Sequence, residues 1–148
     1  MKQLLISLML VVISTMTIAS ESDGLILHRS TQTFPEAMLA LQTSIAEHGY
    51  KLSRVQRVDI GLTKSGYKTD KYRVVFFGKP SEIRAVKQSS PQLIPYLPIK
   101  IVIFSENNET LLVASNMTQF SALATREDTR DLLERWNNDI QSIFDDVQ

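Results

Sequence analysis

Residues 71–80 read KYRVVFFGKP and residues 97–106 read LPIKIVIFSE, and the fold follows from these two stretches. In the first, Tyr72, Val74 and Phe76 alternate with Val75 and Phe77; in the second, Ile99, Ile101 and Ile103 alternate with Val102 and Phe104. Successive strand side chains point to opposite faces, so both faces are apolar here. A strand of that kind belongs inside a sheet, with cover on each side. The two are therefore expected to be adjacent central strands, joined by a connection with prolines at both ends.

Within that connection, Ser81–Gln88 fits a short helix with Ile83 and Val86 facing in, and Pro91, Pro95 and Pro98 predict a rigid, non-helical return. Downstream, Glu106-Asn107-Asn108-Glu109 reads as a hairpin turn with Thr110–Ser115 as the partner strand. Upstream, Val58, Ile60 and Leu62 alternate cleanly, but Leu52 and Val55 are out of phase by one. A strand over Tyr50–Leu62 would need a β-bulge near Arg54 to Arg57. Lys64–Asp70 reads as a polar turn around Gly66.

Two helices stand out. Thr33 and Glu36 form a capping-box pattern with Pro35 in the first turn, and Phe34, Met38, Leu41 and Ile45 then make one apolar stripe that Gly49 ends. Leu25–His28 precedes it as a first strand. A second helix should start at Thr125–Asp128 and run to about Asp146, with Leu132, Leu133, Trp136, Ile140, Ile143, Phe144 and Val147 on its apolar face. That face must be packed, on the sheet or against a second subunit. The reading is a single α+β domain: a mainly antiparallel sheet of about five strands, helices, and a long C-terminal amphipathic helix over 125–147.

The bulk numbers narrow the class. At 148 residues the chain is one domain. Zero net charge gives no global pull toward nucleic acid, and the absence of cysteine excludes disulfides, thiolate metal sites and a cysteine nucleophile. Met1-Lys2-Gln3, the apolar run Leu4–Ile13 and Thr17-Ile18-Ala19 have the layout of a secretory signal over residues 1–19, leaving 20–148 as the domain. A periplasmic or secreted location is expected, with membrane contact only through an uncleaved signal segment.

The order of Thr33-Phe34, Gly49-Tyr50, Val58-Asp59, Phe77-Gly78-Lys79-Pro80 and Leu97-Pro98-Ile99-Lys100-Ile101 resembles the domain of unknown function family 302, over about residues 25–115. The resemblance implies a compact α+β domain, helices on one side of an antiparallel sheet, and pairing as a dimer. It implies no established reaction. The chain departs from the pattern at Lys79, where many relatives carry Asn, and at Ile60, where some carry histidine. The helix after Thr125 falls outside the stretch that carries the resemblance.

Chemistry-bearing residues are sparse. Between Lys51 and Lys79 eight basic residues face two acids, an excess of six; from Glu106 onward nine acids face three arginines. A basic face can draw an anionic ligand, and two solvated faces can equally compensate one another across a dimer. Aromatics among the bases are limited to Tyr67 and Tyr72, which argues against nucleic acid. Gly78 is expected to serve a backbone bend. Asp59, beside Arg57, is either a general base or a partner for Arg73 or Lys71. His28 and His48 are not spaced as a metal pair, and His48 suits the negative end of a helix. Asp131 with Arg135 and Arg130 with Glu134 are spaced as ion pairs. Asn108-Glu109-Thr110 and Asn116-Met117-Thr118 match the glycosylation sequon.

These readings converge on an exported, non-catalytic module that binds a small anionic ligand or a protein partner as a homodimer, with no cofactor and no metal. Asp59, Lys79, Arg57 and Tyr72 are the expected ligand-binding residues. The alternative is an enzyme with Asp59, Lys79 and His48 in a cleft at the strand ends.

Overall fold

The computed structural model describes residues 24–148, so the secretory signal expected over 1–19 lies outside the described residues. Five strands form one antiparallel sheet: β1 (Leu25–Ser30), β2 (Lys51–Arg57), β3 (Tyr72–Gly78), β4 (Ile99–Glu106) and β5 (Glu109–Ser115), in the order β1-β5-β4-β3-β2. The helices are α1 (Phe34–Glu47), α2 (Val58–Lys64), α3 (Pro80–Ser89) and α4 (Glu127–Asp145). As expected, β3 and β4 are neighbours inside the sheet, pairing Val75 with Ile101 and Phe77 with Ile99.

Only one of their faces is sheltered. Val75, Phe77, Ile99, Ile101 and Ile103 are buried with Leu41 and Ile45 of α1 and Leu133, Trp136 and Ile140 of α4 in one core. The opposite face carries Tyr72, Val74, Phe76, Val102 and Phe104, all half-buried and none in that core. The expectation of cover on both sides is corrected here. Alternating apolar residues fix that a strand is interior, but the described helices supply a single layer.

Local chemistry explains the ends of α1. The Glu36 carboxylate accepts from the Thr33 amide at 3.0 Å and its hydroxyl at 2.6 Å, satisfying groups at the helix start. At the other end Gly49 adopts φ +76°, and the amides of Gly49 and Tyr50 donate to the carbonyls of Ala46 and Ile45, at 2.9 and 3.1 Å. That left-handed cap turns the chain into β2. The β4–β5 turn uses Asn107 and Asn108, both at positive φ, as a two-residue hairpin requires.

Three expectations fail locally. The strand expected over Tyr50–Leu62 stops at Arg57, and Val58–Lys64 is the helix α2. Val58 and Leu62 lie four apart and suit a helix as well as a strand; Asp59 in the first turn and Lys64 in the last complement the helix dipole. The register fault falls at Leu52/Arg54, nearer the start of the strand than expected. The proline-rich return is a 3₁₀ turn over Pro91–Tyr96 followed by a cis Leu97–Pro98 bond. Short 3₁₀ segments need few amide donors, so prolines are tolerated there.

The long helix docks on its own domain. Leu133, Trp136, Ile140, Ile143 and Phe144 are buried on the face shared with α1, and Val147 beyond the helix is buried as well. The chain end is then held by β1: His28 Nε2 lies 2.7 Å from the Val147 carbonyl oxygen, and the Ser30 hydroxyl donates to that of Gln148 at 2.7 Å. Of the two packing options open to this stripe, the structure takes the sheet.

Candidate functional site

The polar residues named from the sequence fall at the two ends of β3. At its start, Arg73 points to the helix side and donates to Asp59 on α2. The guanidinium also lies 5.7 Å from the centre of the Phe34 ring, as does Lys71 Nζ. The Arg73 hydrogen bond holds the Asp59 carboxyl below its usual range, against a smaller opposing effect of desolvation. That shift runs away from neutrality, the wrong direction for a general base. The expected Asp59–Arg73 pairing exists, made from a helix rather than across strands.

Arg57 ends β2 directly opposite Arg73, and its charge adds to the pull on Asp59. Tyr72 projects to the other face, its ring 6.2 Å from that of Phe104. It lines an open groove of about 360 Å³ with Val102, Phe104 and the Thr69–Lys71 loop. A second groove of about 610 Å³, on α2, holds Asp59, Lys64, Asp70 and Lys71.

At the far end of β3, Lys79 Nζ sits 4.3 Å from the centre of the Tyr50 ring, a cation–π contact. The Tyr50 hydroxyl donates to Asp139 of α4. Arg135 reaches Asp139 at 3.6 Å and Glu82 at 2.7 Å, and the Trp136 indole donates to the other Glu82 oxygen at 2.7 Å. The network links α3, α4 and the turn before β2 with every member partnered. Burial, then the Asp139 hydrogen bond and charge, push the Tyr50 hydroxyl above its ordinary range. Such a group holds its proton and is no acid at neutral pH.

The sequence pairs Asp131 with Arg135 and Arg130 with Glu134. Arg135 instead crosses to Glu82 of α3 at 2.7 Å, a better-sheltered carboxylate than its own helix face offers, while Arg130 pairs one turn back along α4 with Glu127 at 2.8 Å. Gly78 is not a bend: a Cβ there would meet Ile83 Cδ1 at 2.5 Å, so glycine serves close approach of α3.

Lys79 stands six residues beyond Arg73, about 20 Å along an extended strand. None of the described cavities is lined by both Asp59 and Lys79. The structure therefore brings Asp59 to Arg57 and Arg73, and leaves Lys79 at the opposite end. His48 immediately precedes Gly49, over which the Lys79 side chain lies, and its own Nδ1 is 2.9 Å from the Ser44 carbonyl oxygen and 4.0 Å from Asp146. Among the described residues no group of three or more histidines and acids could hold a metal ion.

Two features escaped sequence reasoning. One is a cleft of about 800 Å³ between α3 and α4, lined by Val86, Ser89, Arg126, Asp128, Asp131 and Arg135 among others. No periodicity signals a cleft between two helices far apart in sequence. The other is the uncovered sheet face, where Leu27, Val113, Val102 and Val74 stand side by side across four strands. Their alternation was visible, and only the side taken by the helices was not.

The family described as Domain of unknown function DUF302 matches residues 26–147, a span that takes in α4 as well as the sheet. Among solved structures, the crystal structure of uncharacterized conserved protein DUF302 from Bacillus stearothermophilus is similar, with a TM-score of 0.76 at 15% identity. The similarity covers 84% of this chain and 98% of that one, and it bears on fold alone. No curated protein matches the chain.

Proposed function

The chain belongs to the DUF302 family, and from that premise we propose that it is an exported, non-catalytic binding module that works as a homodimer through the open face of its sheet. The observation that carries this reading is the row Leu27–Val113–Val102–Val74, on a face over which no described helix lies. Leu27 is 54% exposed and its neighbours are half-buried. Five strands of six to eight residues make a face of about 24 by 20 Å. That is about 480 Å² in projection, the low end of interface sizes, where association is weak and reversible. A second copy can lie about 10 Å away, sheet on sheet.

Of the two partner classes the sequence suggests, the second copy has the better-formed surface. A small anionic ligand would meet Lys64 and Lys71 in a shallow groove that also carries Asp59 and Asp70. Export rests on the signal-like layout of residues 1–19. The non-catalytic part rests on Asp59 and Tyr50 being held far from neutral ionisation, and on Lys79 standing apart from Asp59.

Light scattering and native mass spectrometry on the chain from Ser20 onward test this. Twice the chain mass is expected at micromolar concentration, falling to a monomer with unchanged circular dichroism in Val102→Asp. A wild-type monomer at tens of micromolar, or a dimer indifferent to Val102→Asp, overturns the reading. The same spectra reveal any retained ligand.

A further inference from the structure

The basic residues of the Lys51–Arg57 stretch do not converge on a pocket. All seven residues of β2, an edge strand, are exposed, and α2 buries none of its side chains. Lys51 and Arg54 stand on that edge, and Lys64 and Lys68 on the segment that projects beyond it; none of the four makes an ion pair among the described residues. Three exposed apolar or aromatic side chains share this edge: Leu52 and Val55, in register with Phe77 and Val75 on the helix side, and Tyr67, 64% exposed; Lys51 and Arg54, opposite Gly78 and Phe76, take the other side of the strand. The acids within the same stretch are Asp59, held by Arg73, and Asp70, beside Lys71 in sequence.

We propose that this β2–α2 edge docks on an anionic lipid surface, with Tyr67 at the headgroup level and the lysines and arginines over the phosphates. Cations spread over a ridge of about 20 Å match a charged plane better than a single anion, which needs convergent donors. Interspersed apolar and aromatic side chains favour a lipid interface. A nucleic acid would want a row of stacking aromatics, and this ridge offers Tyr67 alone. The surface lies at the sheet's edge, so it does not require the dimer proposed above.

The test is co-sedimentation of the chain from Ser20 onward with phosphatidylcholine vesicles, pure or holding about a third phosphatidylglycerol. Binding is expected only to the anionic vesicles and should weaken as salt rises above about 0.1 M. The double variant Lys64→Glu with Lys68→Glu should bind at least ten-fold more weakly, and Tyr67→Ser several-fold, with unchanged circular dichroism. Val102→Asp should keep binding that is confined to anionic vesicles and weakened by salt, separating this surface from the dimer face. Equal binding to uncharged vesicles, indifference to the charge reversal, or equal affinity for duplex DNA at the same salt would overturn the proposal.

Discussion

The Tyr50 hydroxyl donates to the Asp139 carboxylate, joining the turn that closes α1 to the middle of α4. Lys79 covers the same ring and Phe77 meets it edge-on at 5.3 Å, so Tyr50 binds sheet, turn and final helix at once. Tyr50→Phe keeps the packing and deletes the hydrogen bond; it should cost about 1–2 kcal/mol, read as a lower urea midpoint at unchanged slope. The pH dependence has a definite sign. Because folding raises the Tyr50 ionisation, its contribution is whole below about pH 10 and is lost as pH rises toward the folded value. Wild type should therefore lose stability more steeply than Tyr50→Phe above about pH 10.

Asp59 gives the opposite dependence. Its carboxyl is lowered by Arg73, so its contribution is whole above about pH 4 and disappears as pH falls through the folded value. Asp59→Asn should destabilise by up to about 1 kcal/mol at neutral pH, since the pair is partly wetted, and should flatten the acid limb of the stability curve. Urea titrations at a series of pH values below about 5 measure it.

The two faces of β4 should answer differently to truncation. Ile103 is fully buried under the helices, and Ile103→Ala should cost about 2–5 kcal/mol. Its neighbour Val102 faces the open side, where Val102→Ala should cost about 1 kcal/mol of monomer stability. Chemical denaturation at a concentration where light scattering reads a monomer separates the two.

The glycines differ as well. Gly49→Ala places a Cβ at φ +76° and should cost about 1–2 kcal/mol, whatever surrounds it. Gly78→Ala instead drives a Cβ against Ile83 Cδ1, an overpacking cost of about 1–3 kcal/mol. Adding Ile83→Val removes that atom, so the double variant should recover part of the loss, a non-additivity visible in thermal melts.

Removing residues 125–148 should abolish cooperative unfolding rather than release a soluble core. The cut exposes the buried side of the sheet and deletes Leu133, Trp136, Ile140, Ile143 and Phe144 from the core. A sigmoidal melt from the truncated chain would contradict this packing.

Much of this was legible in the residues. The capping pattern of Thr33 and Glu36, the stop at Gly49, the hairpin asparagines and the α4 stripe are short-range signals, each fixed by backbone chemistry within a few positions. The misreadings came where two periods coincide. Val58 and Leu62 satisfy an alternating strand and also, four apart, a short helix, and only the surrounding packing chooses. The ionic contacts were misread for a related reason, since Arg135 reaches a carboxylate 53 residues away.

The chain alone determined that residues 72–77 and 99–104 are adjacent interior strands, because no other placement buries alternating apolar side chains at that spacing. Tertiary structure alone decided which flank of the sheet the helices take, and with it where apolar surface is left over. It also decided that Asp59 and Lys79, twenty residues apart in sequence, stand at opposite ends of one strand. Periodicity is local and carries no information about distance across a fold; only packing supplies it.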